Sequence, residues 1–169
     1  MGRDKAAVKI GVHRSIDQVV ARLSAVLPTV IVVGGSDMQA IDDLEPGGGP
    51  VQAIAAAAAQ FPGRAMLVVA CDMPWLTPAT VQHLSAPLGD AIARIPRVEG
   101  RKQPLCAHYG AGALACFETA WRDGVRAMYR VVATLDAIAW LEVSDAVGAG
   151  VVDFDTPEEF AALSKQFSS

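Results

Sequence analysis

Charged residues make up only 19% of this 169-residue chain, against 52% hydrophobic ones. So little charge on so apolar a chain excludes disorder, because enough apolar surface exists to offset the entropy of ordering. Basic charge is especially short: 14 Lys and Arg face 18 Asp and Glu, a net charge of -4. Nucleic-acid binding driven by bulk charge is excluded, which leaves room only for a small basic phosphate site. Apolar runs are short as well, and none approaches the roughly 18 residues a bilayer-crossing helix needs. The opening Met1-Gly2-Arg3-Asp4-Lys5 lacks the apolar core of a signal peptide. These absences predict a cytoplasmic chain with no membrane and no nucleic-acid partner.

Cysteine is scarce too. Cys71, Cys106 and Cys116 have no C-x-x-C spacing and leave an odd thiol, so they read as small buried hydrophobes. No His/Cys grouping has zinc spacing, and no Ser-His-Asp or Cys-His ordering stands out. His13 and His83 fall at polar positions flanking helices and read as solvated. His108 ends a strand beside Tyr109, where it either contacts a substrate or sits satisfied at a sheet edge.

Alanine, by contrast, is abundant at 30 residues, and it is the best helix former. The chain should be rich in slim helices that pack close to a sheet. Apolar spacing predicts a helix over 15–27, capped by Ser15 and closed by Pro28. Helices are also predicted over 51–60, with Pro50 in the first turn, over 77–85, capped by Thr77, and over 113–122 and 125–135. Strands are predicted over 29–33 and 65–70, both as buried strands, and over 137–143 and 151–154. Residues 91–95 and 104–109 read as an antiparallel pair flanking a basic turn. Thr156, with Glu159 three residues on, matches a capping box opening a last helix. Strands alternating with helices throughout, without repeat or linker, predict one α/β domain over 1–169 with a mostly parallel sheet.

In open α/β sheets ligands bind beyond the carboxyl ends of strands, and three features fall at such ends. Asp72 directly follows the strand over 65–70, where a carboxylate can reach a divalent ion or cap the next turn. Gly47-Gly48-Gly49-Pro50 leads into a helix and either brings backbone close to an anion or forms a flexible loop. It matches neither a Walker loop nor G-x-G-x-x-G. Asp153 and Asp155 follow the last strand and alternate to the same side; Asp155 serves equally well as a helix cap. Asp72 and Asp155 together form a candidate pair for one metal ion.

Taken in order, these segments resemble the molybdenum cofactor guanylyltransferase family of nucleotidyltransferases. Met1-Gly2-Arg3-Asp4-Lys5-Ala6 is similar to the end of that family's signature, L-A-G-G-x-S-x-R-M-G-x-D-K. Glu45 to Pro50 with Val51-Gln52-Ala53-Ile54 resembles its acidic, Gly-Pro-leading loop, and Val68-Val69-Ala70-Cys71-Asp72-Met73-Pro74 its C-D-M-P segment. Gln103-Pro104-Leu105-Cys106-Ala107-His108-Tyr109 resembles its Q-P-L-x-A-x-Y strand, and 153–159 its N/D-x-N/D-T-P-E-E ending.

The resemblance implies a three-layer, Rossmann-like nucleotidyltransferase fold that lacks the family's first strand and glycine loop, which would precede Met1. It implies that Lys5 holds the phosphates of GTP, that Asp43 or its neighbour Asp42 and Gly49 contact the nucleotide, and that Asp72 binds Mg²⁺. Asp155 is the second metal candidate, and Lys5 and Asp72 the catalytic pair. The implied reaction is transfer of GMP from GTP to molybdopterin, forming the guanine dinucleotide cofactor and releasing pyrophosphate. Molybdenum-cofactor insertion proteins are the implied partners. Gly34 stands where the family often has Asn. The alternatives are CTP or another phosphate acceptor, or a non-catalytic cofactor-binding paralogue. The basic turn with Arg97, Arg101 and Lys102 either attracts the anionic pterin or is simply solvated.

Overall fold

The computed structural model describes residues 9–10, 13–34, 40–41, 47–143, 150–154, 156, 159, 162–163 and 165. Two short strands, β1 (Lys9–Ile10) and β2 (His13–Arg14), pair antiparallel and lead into α1 (Ser15–Ser24). Next come β3 (Val32–Val33) and β4 (Ala40–Ile41), paired in parallel, then α2 (Gly49–Gln60), β5 (Met66–Val69) and α3 (Pro78–Ser85). The remaining elements are β6 (Ala93–Val98), β7 (Arg101–Lys102), β8 (Cys106–Tyr109), α4 (Ala111–Arg122), α5 (Met128–Val132) and β9 (Ile138–Glu142). The chain divides into one unit of residues 1–30, 69–83 and 143–169, and another of 31–68 and 84–142.

The second unit carries the main sheet, in the order β5-β8-β6-β7, with β9 on β6. Strand β6 pairs antiparallel with β7 and β8 and parallel with β9. Turning β6 back into β7 falls to Glu99 and Gly100, both with positive φ (50° and 77°), as a tight hairpin turn requires. Apolar alternation fills the space between sheet and helices: Ala93, Ile95, Ala107 and Tyr109 from strands meet Ile54, Ala58, Leu114 and Phe117 from α2 and α4. Ala55 through Ala58 are all buried, so the alanine content does what its small volume suggests and lets α2 lie close to α4.

Four local expectations need adjustment. Strand 29–33 shrinks to Val32–Val33, and 65–70 is half-buried rather than buried. Among the described residues β5 ends the sheet path, which leaves its outer side less covered. Residues 151–154 join no strand among the described residues, although Val151 and Phe154 are buried. Ser15 is not the cap of α1: Arg14 holds that position, and its backbone N–H donates to the Asp17 carboxylate at 3.1 Å. Two caps appear as predicted. Thr77 Oγ1 accepts from the Thr80 N–H at 3.1 Å, and Thr156 and Glu159 exchange two 3.1 Å bonds as a capping box.

Candidate functional site

The first unit is organised around the turn that follows β5. The Met73 N–H donates to the Ala70 carbonyl at 3.3 Å, closing the turn over Cys71 and Asp72. Met73 and Leu76 are buried, which leaves Asp72, half-buried, between anchored neighbours. The anchor on the other side is Ser15. Its side chain is wholly buried, and its hydroxyl donates to the Cys71 carbonyl at 2.5 Å. This explains the lost cap, since the hydroxyl is committed to a partner 56 residues away.

Just past the turn, the Trp75 ring meets Phe154 edge-on with centroids 5.8 Å apart, a favourable arrangement for two aromatic quadrupoles. Gly150, at φ +107°, lies so close that an added Cβ would fall 2.2 Å from the Trp75 carbonyl oxygen. Residues 150–154 are therefore packed on the segment that carries Asp72. Asp153 is exposed there. Ser15 and Gly150 are positioning residues that sequence reading missed. A serine before an amphipathic helix looks like a cap, and a glycine in a Gly- and Ala-rich stretch looks like a turn.

The other candidates are dispersed. Gly49, at φ +77°, opens α2 in the second unit with Pro50 behind it, and Gly47 shares the same left-handed conformation. Lys5, Asp42, Asp43 and Asp155 lie outside the described residues. The proposed Asp72–Asp155 pair is thus represented only by Asp72 and by Phe154, the neighbour of Asp155.

Does Asp72 fit a magnesium ion? Mg²⁺ takes oxygen ligands, keeps several waters, and is commonly held by one or two carboxylates plus substrate phosphates. A half-exposed carboxylate on a tethered turn matches that habit. Among the described residues no cluster of three His, Cys, Asp or Glu forms a protein-only cage.

The strand over Cys106–Tyr109 is more buried than a contact surface should be. Tyr109 donates to the Pro104 carbonyl at 2.7 Å and packs edge-on to Phe117, and burial pushes its pKa up. Burial likewise pushes the Cys106 thiol up to about 12, so it stays protonated, as a small hydrophobe would. His108 is buried, not satisfied at an edge: its Nδ1 has no partner. Burial first, and then the facing Arg94 guanidinium, hold its pKa below the ordinary value. Arg94 itself donates to the carbonyls of Leu84, Ala86 and Pro87 at 3.1, 2.6 and 2.8 Å, closing the C-terminus of α3.

No described helix is long and apolar enough to cross a membrane. The chain is 32% identical over 129 residues to a probable molybdenum cofactor guanylyltransferase of Pelotomaculum thermopropionicum, covering 72% of this chain and 63% of that protein. A namesake from Opitutus terrae is 34% identical over 146 residues, 80% of this chain and 72% of that one. Among solved structures, molybdopterin-guanine dinucleotide biosynthesis protein A from Archaeoglobus fulgidus superposes with a TM-score of 0.82 at 24% identity, covering 99% of this chain and 92% of that one. The 2-C-methyl-D-erythritol 4-phosphate cytidylyltransferase of Thermus thermophilus gives 0.72 at 15%, covering 98% and 94%. These two likenesses speak for the α/β nucleotidyltransferase fold. Residues 1–138 match the MobA-like NTP transferase domain, and the chain belongs to that family.

Proposed function

We propose that this chain transfers GMP from GTP to molybdopterin, forming the guanine dinucleotide cofactor and releasing pyrophosphate in the cytoplasm. The observation that carries the reading is the tethered Asp72 turn, in a chain whose relatives are named as molybdenum cofactor guanylyltransferases. The chain spans 63% of the length of the Pelotomaculum relative.

The residues divide the work by chemistry. Asp72 holds Mg²⁺, with Asp155 as second carboxylate. When bound, the ion supplies charge stabilisation between the phosphates. Lys5 presents a compact cation with three donors to the triphosphate. Asp43, or Asp42, accepts from the nucleotide, and Gly49 lets backbone approach it closely. The acceptor's phosphate is the nucleophile, so the protein's part is to position the two substrates and to oppose developing charge. Ser15 and Gly150 contribute indirectly by fixing the turn on which Asp72 stands. Molybdenum-cofactor insertion proteins would receive the product.

Incubation with GTP, Mg²⁺ and molybdopterin should yield pyrophosphate and the guanine dinucleotide. Product from CTP in preference to GTP would replace the guanylyl reading with a cytidylyl one. Binding of nucleotide without turnover would leave a cofactor-holding protein.

A further inference from the structure

Among the described residues β9 pairs with β6 and with no other strand, so one of its edges is open. The Ala93 N–H donates to the Ala137 carbonyl at 3.4 Å, which turns that carbonyl toward β6. Backbone direction alternates along an extended strand. Ala139 and Leu141 therefore face β6 too, while Ile138, Trp140 and Glu142 present their N–H and C=O groups to the open edge. Such edges are ordinarily blunted by Pro, Lys, a bulge or brevity. None of these guards β9, which runs Ile-Ala-Trp-Leu-Glu in unbroken register with β6. Its charged residue, Glu142, is already committed to Arg97, whose guanidinium donates to it at 3.1 Å.

The side chains along this edge are suited to being covered. Ile138, Trp140 and Glu142 alternate to one face of the sheet. Arg97 and Lys102 hold the Trp140 ring, with the guanidinium 4.2 Å and Nζ 4.9 Å from its centroid. A ring already held loses little freedom when a partner packs on it. Ile138 and Trp140 also line an open groove of about 460 Å³ with Val132, Leu135 and Tyr129, the last 71% exposed. Apolar surface of this kind gains by leaving water.

We propose that β9 pairs antiparallel with β9 of a second copy of this chain, about a two-fold axis at Trp140. Register selects that arrangement. Centred there, Trp140 opposes Trp140, and Ile138 opposes Glu142 of the other copy twice over, so every outward residue is used. The apolar row of Ile95 and Trp140 then continues into its symmetry mate, and no like charges meet. Centring on Glu142 would oppose two carboxylates. Centring on Ile138 would carry Trp140 and Glu142 past the start of the partner strand. A contact built on one strand edge belongs to the small, transient class, so sedimentation equilibrium of the full chain over a micromolar series is the test. The mean mass should rise from one chain toward two. Two substitutions of the half-buried Ile138 read the register. Ile138→Glu sets a second carboxylate against Glu142 of the other copy, and Ile138→Lys sets an ammonium there. The lysine variant should dimerise roughly tenfold or more tightly than the glutamate variant, since each effect occurs twice in a symmetric pair. The same exchange at exposed Thr119 on α4 changes net charge equally and should leave dimerisation unaltered. Circular dichroism checks the fold of each variant, and the parent series stands without them. A parent chain that stays monomeric at every concentration overturns the proposal and leaves the edge to a strand of another protein. Oligomers beyond two copies, equal dimerisation of the two Ile138 variants, or an equal difference at Thr119 would each overturn it as well. None of these results depends on whether guanylyl transfer occurs.

Discussion

The hydroxyl of Ser15 donates a 2.5 Å hydrogen bond to the carbonyl of Cys71, one residue before Asp72. A side chain at the start of α1 thereby holds a turn reached only after four further elements, β3, β4, α2 and β5. Ser15→Ala removes that hydrogen bond in a part-buried setting, a loss of about 1 kcal/mol. Chemical denaturation should show that decrease. Magnesium-dependent GTP affinity should fall with it if the turn sets the carboxylate's position; unchanged affinity would confine Ser15 to a structural part.

Asp72→Asn keeps the shape of the side chain and removes its charge. Calorimetric titration should find magnesium-dependent GTP binding abolished, with a melting temperature close to that of the parent. Undiminished affinity would remove Asp72 from the metal assignment.

Selectivity among nucleotides follows from the guanylyl reading. In thermal-shift measurements with Mg²⁺, GTP should stabilise more than CTP or ATP. At 100 times its dissociation constant a ligand adds about 2.7 kcal/mol, readily seen as a rise in melting temperature. A larger shift with CTP would favour the cytidylyl alternative.

Gly150→Ala should be severe. The new Cβ would meet the Trp75 carbonyl oxygen at 2.2 Å, in a backbone conformation of φ +107° that side chains resist. A loss of about 2–4 kcal/mol is expected, with the Trp75–Phe154 contact disturbed. Near-UV circular dichroism should report that disturbance, and a parent-like spectrum and stability would refute the tight approach.

His108 gives the fold an acid weakness. Burial and Arg94 lower its pKa in the native state, whereas the unfolded chain takes up a proton near the ordinary value of about 6.5. The unfolded state therefore binds more protons below that pH, so stability is full above it and declines as pH falls through it. Melting curves between about pH 7 and pH 5 should show this decline, and His108→Gln should flatten it. Equal slopes in the two proteins would count against a neutral buried imidazole.

Much was legible in the order of residues alone. Alternating apolar periods located α2, α3, α4 and β5 to within a few positions, because amphipathic spacing is a local consequence of which face each element buries. The caps at Thr77 and Thr156 were legible for the same reason, since donor and acceptor lie three residues apart. The carboxylate at Asp72 could be picked out because a strand end announces itself in sequence. What surrounds it could not. That Ser15 gives up a cap to hold Cys71, that Gly150 must be glycine because Trp75 passes over it, and that Lys102 sits on the Trp140 ring all depend on residues far apart in the chain. Local propensity contains no record of such contacts. They arise only when strand register and buried packing bring distant segments to within hydrogen-bond and van der Waals range, and there the tertiary structure alone decides.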